Sequence, residues 1–259
     1  MECLWLLEGE EAASSAQKIV PDGCAELIVH LRDPFLRLVP RGTLVQPRSF
    51  FVGQMTRPLL LQAGRRVRTL GIRFRPGGAR PFLRAPLHEF TDAMVPLEAI
   101  WAGDAARFEE ALSESPRPLE AAAALLAQRV GEGADQVMQA AVAEILGRRG
   151  RLSVGALARA AGLGPRQLER RFLAAVGLPP KQLCRIVRFQ GVFHRLASVE
   201  RGAWVQVALD CGYSDQAHLI RDFRDLAGAT PPRYVAAEGE LSRFFTSPAR
   251  LETFFSPAG

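Results

Sequence analysis

Residues 153–180, SVGALARAAGLGPRQLERRFLAAVGLPP, and residues 204–231, WVQVALDCGYSDQAHLIRDFRDLAGATP, carry one pattern written twice. Ala158, Gly162 and Leu163 recur fifty residues later as Ala208, Gly212 and Tyr213. Leu168, Arg170, Phe172, Gly177 and Pro180 recur fifty-one later as Leu219, Arg221, Phe223, Gly228 and Pro231, so one residue is inserted in the turn of the second copy. Self-similarity at a fixed offset marks one supersecondary unit used twice.

Each copy reads as two short helices about a tight turn. In the first, Ser153 caps a helix whose apolar face is Val154, Leu157 and Ala161, and Gly162 supplies the left-handed residue that ends it. Pro165 then opens a second helix, where its missing N–H costs nothing, and Leu168, Phe172 and Val176 form the buried face before Gly177 stops it. In the second copy Trp204, Val207, Ala208 and Cys211 precede Gly212, and Ser214 is read as the cap of a helix burying Leu219, Phe223 and Leu226. Helices joined this way form a helix-turn-helix, whose second helix enters the DNA major groove.

Between the copies Pro179 and Pro180 open a helix from Lys181 to Leu196, with Leu183, Ile186, Val187, Gln190 and Phe193 along one stripe. At about 1.5 Å per residue it spans roughly 24 Å. A stiff spacer of that size sets two recognition helices about one DNA turn, ~34 Å, apart, so that one chain reads two successive half-sites.

Ala208, Cys211-Gly212-Tyr213-Ser214-Asp215-Gln216, Leu219, Arg221, Phe223-Arg224, Gly228, Thr230-Pro231 and Tyr234 closely resemble the signature of the AraC/XylS family of transcriptional regulators. Leu157-Ala158, Gly162, Leu168 and Arg170-Arg171-Phe172 resemble that family's first helix-turn-helix. The resemblance covers about residues 150–235 and implies a sequence-specific transcription regulator rather than an enzyme, with double-stranded DNA and RNA polymerase as partners. A looser likeness, through Pro21-Asp22-Gly23-Cys24 and Gly71-Ile72-Arg73-Phe74-Arg75-Pro76-Gly77-Gly78, is to a sensor-like region attached to some members. It implies a cupin-like β fold modulated by a small-molecule effector, with the ligand-binding residues left open.

On the first recognition helix Leu168, Phe172 and the stem of Arg171 are committed near the core, which leaves Arg166, Glu169 and Arg170 facing the groove. Arg pairs bidentately with guanine and Glu accepts from cytosine. On the second the outward positions are Gln216, Ala217, His218 and Arg221, with Asp215 in the first turn near the helix dipole. Arg170 and Arg221 either read a base or hold phosphate and brace the fold; His218 is either a reader or a solvated, phosphate-facing ring. Gly164 stands where the family usually has a capping Ser, so the first recognition helix is expected to be less firmly held than the second. Lys181, Arg185, Arg188 and Arg195 on the linker helix either meet phosphates or form a solvated polar face.

Charge agrees with this division. Residues 135–238 hold 15 Arg and Lys against 9 Asp and Glu, a balance of +6, and the remainder holds 18 against 18. The whole basic excess lies where phosphate would be met. No apolar run approaches the roughly 20 residues of a membrane span, and MECLWLLEGEE lacks the basic flank of a signal peptide, so no membrane association and a cytoplasmic location are expected. Cys3, Cys24, Cys184 and Cys211 are far apart and form no C-x-x-C pair, which points to reduced, buried thiols rather than a disulfide framework or a zinc site.

The first part of the chain reads as short strands between Pro and Gly turns: Glu26 to Leu31, Phe50 to Val52, Leu59 to Leu61 and Val67 to Phe74. In the last, Leu70, Ile72 and Phe74 alternate with Gly71, Arg73 and Arg75, the period of a strand with one buried face. Helices follow at Ala105 to Leu112 and Leu119 to Val130. The predicted fold class is α+β in two domains: a small antiparallel β-sheet or barrel with following helices, then an all-α domain of two helix-turn-helix units joined by a linker helix. The predicted boundaries are 1–130 for a sensor or dimerisation domain, 135–238 for the DNA-binding domain and 239–259 for a tail, whose Phe244-Phe245 and Phe254-Phe255 either dock onto the protein or a second subunit or stay loosely held.

Arg65, Arg66, Arg68, Arg73, Arg75 and Arg80 around the last strand form either the outer face of a sheet or an anion cradle. His30 and His88 lack the spacing of a metal site, and neither metal nor cofactor is expected. Two rival functions stay open: a DNA-binding protein whose N-terminal half only forms a homodimer, and a DNA-repair alkyltransferase fusion. The second needs a reactive Cys beside a His, which none of the four cysteines has nearby in sequence.

Overall fold

The computed structural model describes residues 1–9, 16–131, 135–196 and 204–236. Among these residues nine strands lead the chain: β1 (Cys3–Gly9), β2 (Gln17–Ile19), β3 (Ala25–His30), β4 (Leu36–Val39), β5 (Gly42–Val45), β6 (Ser49–Val52), β7 (Leu59–Gln62), β8 (Val67–Phe74) and β9 (Met94–Pro96). They form two antiparallel sheets, ordered β1-β8-β3-β6-β9 and β2-β7-β4-β5. Three helices follow, α1 (Leu97–Trp101), α2 (Asp104–Glu114) and α3 (Pro118–Ala127).

The larger sheet is covered on both faces. Leu27, Val29, Phe51, Leu70, Ile72 and Phe74 pack against Leu97, Phe108, Leu112 and Leu126 of the helices. Trp5, Ile28 and Phe50 point the other way and meet Ile19, Leu59 and Leu61 of the smaller sheet. β3 is therefore buried at every position instead of alternating, as expected of a strand sandwiched between two layers. The same layering corrects the expectation for β8. Gly71 and Arg73, read as an outer face, are buried: the Trp5 ring lies against Gly71, where a Cβ would sit 2.0 Å from the indole, and Arg73 is enclosed by Glu2, Asp22 and Glu26. The sequence does not announce β1, β2, the β4–β5 hairpin or β9 as strands; they are short or occupy sheet edges, where periodicity is weak.

The second half is helical: α4 (Gln136–Gly147), α5 (Val154–Ala160), α6 (Pro165–Val176), α7 (Pro180–Leu196), α8 (Trp204–Asp210), α9 (Gln216–Ala227) and α10 (Pro231–Ala236). α5–α6 and α8–α9 are the two helix-turn-helix units. Gly162 and Gly212 take φ of +65° and +81° in the turns, and Gly177 and Gly228 take +91° and +61° as left-handed caps of α6 and α9. The linker α7 is buried along two stripes rather than the single one expected. Leu183, Cys184 and Val187 pack into the first unit with α4, and Ile186, Phe189, Val192 and Phe193 pack into the second with α10. With two buried stripes, and with Lys181, Arg185 and Arg188 left outside them, α7 is the spine on which both units are mounted.

Among the described residues no helix is long and apolar enough to cross a membrane, and no group of three or more His, Cys, Asp or Glu is placed to hold a metal. The expectations for the Phe-rich tail fall outside the described residues.

Candidate nucleic-acid interface

The two recognition helices are the same length and share a design. Leu168 and Phe172 of α6 and Leu219 and Phe223 of α9 occupy the fourth and eighth positions and are fully buried. Positions two and six lie four apart on the opposite face. They are Arg166 and Arg170 in α6, and Ala217 and Arg221 in α9, all exposed. Glu169 is also exposed, and Gln216 and His218 are half-buried at the start of α9. Among the described residues Arg166, Glu169, Arg170 and Lys181 take part in no side-chain hydrogen bond or ion pair, which leaves their charges open to solvent.

The helix entrances differ. Gly164 precedes α6 without a side-chain cap, and Pro165 stands at its first position. For α9 the cap is Asp215, not Ser214. Asp215 Oδ1 accepts the His218 N–H at 2.7 Å, while Ser214 donates its hydroxyl to Asp215 Oδ2 at 3.0 Å. The His218 N–H, then Ser214, and more weakly the nearby Arg221, hold the Asp215 carboxyl below its ordinary range. The His218 ring stands edge-on to Tyr213 with Nδ1 3.2 Å from the Ser214 hydroxyl, so its position is set by the turn. Ser153 caps α5 as expected, accepting the Ala156 N–H at 3.1 Å.

Other cations brace the domain. Arg171 forms a forked pair with Asp135, which also caps α4 through the Met138 N–H. Arg185 bridges Asp222 at 2.7 Å and Asp225 at 2.8 Å, fastening α7 to α9. Arg188 donates to Gly150 O at 2.9 Å and lies over the Tyr213 ring, and Arg151 donates to Asp210 O, so both tie the first unit to the second. Lys181 at the start of α7 is exposed.

The helix-turn-helix pair is not isolated from the β domain. Val20 is buried in the core of the second unit and Cys24 in that of the first. Gln190 of α7 donates to Pro21 O at 2.8 Å, Lys18 Nζ to Ala227 O at 2.9 Å, and the Thr91 hydroxyl to Gly177 O. Behind this run Arg73, 3% exposed, pairs with Glu2 at 3.2 Å, Glu26 at 2.8 Å and Asp22. Sequence reading names Cys24, Arg73 and Gln190 but not these contacts, and it misses Lys18, Val20 and Thr91. Period and motif say nothing about side chains that act between domains, although Arg73 and Asp22 both lie in the quoted N-terminal likeness.

Between the sheets is a cavity of about 70 Å³, lined by Trp5, Ile28, Phe35, Phe50, Met55 and Leu61, with Gln46 and Thr69 among its polar groups. His30 bonds Thr69 at 3.0 Å and Gln46 at 3.1 Å, and burial lowers its pKa to about 4. A more polar recess lined by Arg37 and Arg57 shares Val52, Met55, Leu59 and Met94 with the cavity. Burial pushes the thiols of Cys184 and Cys211 up to about 11 and that of Cys24 well above its ordinary value, the opposite of an activated nucleophile.

The family model described as a helix-turn-helix domain matches residues 157–237, and one described as a domain of unknown function, DUF6597, matches residues 1–96. No curated protein sequence matches the chain. Among solved structures, an apo point variant of ToxT from Vibrio cholerae strain SCE256 is 10% identical, covers 91% of this chain and 97% of its own, and has a TM-score of 0.47. ToxT from Vibrio cholerae O395 bound to (E)-4-(8-methylnaphthalen-1-yl)but-3-enoic acid is 7% identical, covers 91% and 98%, and scores 0.49. Likeness at this level bears on neither site nor ligand, which rest on the chain's own residues.

Proposed function

We propose that this chain, whose residues 157–237 match a helix-turn-helix family model behind a domain of unknown function at residues 1–96, is an AraC-type, sequence-specific transcription regulator reading two successive major-groove half-sites. The observation that carries the reading is the equivalence of Arg170 and Arg221. Each is the exposed sixth residue of its recognition helix, opposite a buried Leu, and both helices are mounted on one spine. We assign base contacts to Arg166, Glu169 and Arg170 in one half-site and to Gln216, Ala217, His218 and Arg221 in the other, with Lys181 on phosphate. Arg185, joined to Asp222 and Asp225, is assigned to holding α9 in place. Domain boundaries at 130 and 135, action in the cytoplasm and contact with RNA polymerase belong to the same reading.

The cavity between the sheets supports modulation by a small molecule. Its apolar walls, lined also by Glu26 and adjoining a recess that carries Arg37, Arg57 and Asp92, suit a compact apolar body bearing a polar group that meets those side chains. The rival role, homodimerisation alone, is favoured by the exposed Leu44 and Val45 on the edge strand β5. Thermal shift of the full chain against small organic molecules of this kind separates the two: stabilisation rising with ligand concentration supports a sensor, and uniform silence with a dimer in solution supports the rival.

The DNA reading is tested by selecting duplexes from a random library with the full-length protein. Two enriched motifs about one helical turn apart are expected. Arg170→Ala and Arg221→Ala should each relax one motif, at about 1–3 kcal/mol of discrimination. Equal loss on random DNA would make these residues phosphate clamps, and no enriched motif at all would refute the function.

A further inference from the structure

The β domain grips the corresponding point of both repeats. Gly177 and Gly228, fifty-one residues apart, are the left-handed caps ending the two recognition helices. At the first, Gly177 O accepts the Thr91 hydroxyl, and the α-carbon lies so close to the β domain that a Cβ would stand 3.1 Å from Leu87 O and 3.3 Å from Gln54 Cγ. At the second, Ala227 O accepts Lys18 Nζ at 2.9 Å, and a Cβ on Gly228 would stand 3.6 Å from Pro58 Cγ.

One run of chain reaches from the second grip to the core of the first unit. Lys18 holds the end of α9, Val20 enters the core of the second unit, Pro21 O accepts Gln190 of the spine, and Cys24 enters the core of the first unit. This strap is fastened to the larger sheet by Arg73 on Asp22 and by Gln54, which donates to Gly23 O at 2.7 Å. Helix-turn-helix proteins read DNA with the N-terminal residues of the recognition helix. The grips lie at the other end, about 18 Å away in a 12-residue helix. The β domain therefore holds both helices without covering the face that carries Arg166, Arg170, Ala217 and Arg221.

We propose that the strap of residues 18–24 and the Thr91 hydroxyl hold the two units in their seats on α7 and so stiffen the angle and separation that this spine sets for the two recognition helices, making Lys18 and Thr91 positioning residues for half-site spacing. The inference rests on the reading that both helices contact DNA. It puts control of the operator's geometry in the β domain, so that a change between its sheets reaches the readers by tilting them rather than by blocking them.

The test uses full-length protein and the motifs selected by the wild type, rebuilt in duplexes whose half-sites are moved apart or together one base pair at a time. The wild type should favour one spacing by about fivefold or more, the scale of ordinary site-to-site coupling. Lys18→Met with Thr91→Val should flatten that preference to less than about twofold while leaving affinity for an isolated half-site unchanged, and Lys18→Arg with Thr91→Ser should restore it. Circular dichroism and single-half-site binding show that the variant is folded. A folded variant with undiminished spacing preference overturns the inference, as does a flattened preference that the conservative pair fails to restore. A wild type that selects only one motif, or none, overturns the functional reading beneath it.

Discussion

Replacing Arg73 by Met should be the most damaging single change in the β domain. The Arg73 side chain is 4% exposed and its guanidinium faces Glu2, Asp22 and Glu26, whose side chains are 2%, 7% and 11% exposed. Met matches its apolar stem but leaves three carboxylates in a poorly solvated space with their counter-charge gone. Removing one partner of a buried ion pair typically costs about 3–5 kcal/mol, a large part of the roughly 5–15 kcal/mol that stabilises a domain. For a chain of this size the loss corresponds to a fall in Tm of roughly 6–20 °C. Arg73→Lys should recover only part of it, because a single ammonium cannot address three carboxylates as a planar fork does. Urea unfolding followed by circular dichroism measures the deficit. A loss under about 1 kcal/mol would refute the view that this cluster is held together by its cation.

Other outcomes follow from single positions. Gly71→Ala places a methyl where the Trp5 ring lies; a loss of about 1–3 kcal/mol and a red shift of tryptophan emission are expected, and an unperturbed spectrum would contradict the packing. Ser153→Ala removes the cap of α5 and should cost about 1 kcal/mol, read by thermal unfolding, whereas Gly164→Ser should strengthen the entrance to α6. His30 is held neutral by burial with a pKa near 4, below its unfolded value, so the folded state binds fewer protons than the unfolded. Stability should therefore fall as pH drops from about 6.5 to 4, by up to about 3 kcal/mol, and His30→Gln should flatten that stretch of the curve.

The helix-turn-helix half was legible from the residues alone. Helix-turn-helix units are local structures, and their caps, turn glycines and buried positions are written within some twenty-five residues each. The fifty-residue offset of Gly162 and Gly212, and of the core positions around them, was enough to fix the architecture. It also separated exposed Arg166, Arg170 and Arg221 from buried Leu168 and Leu219, because that distinction is a matter of helical period. The tertiary structure alone decided what lies beyond local period. Arg73, on the outward phase of an alternating strand, is buried because β1 and residues 22–26 close over it. Gly71 is required by a tryptophan sixty-six positions earlier. Lys18, Val20 and Thr91 gain their roles only when the β domain packs against the ends of α6 and α9. Contacts between residues far apart in the chain leave no periodic trace, and in this protein they seat the β domain against the ends of α6 and α9.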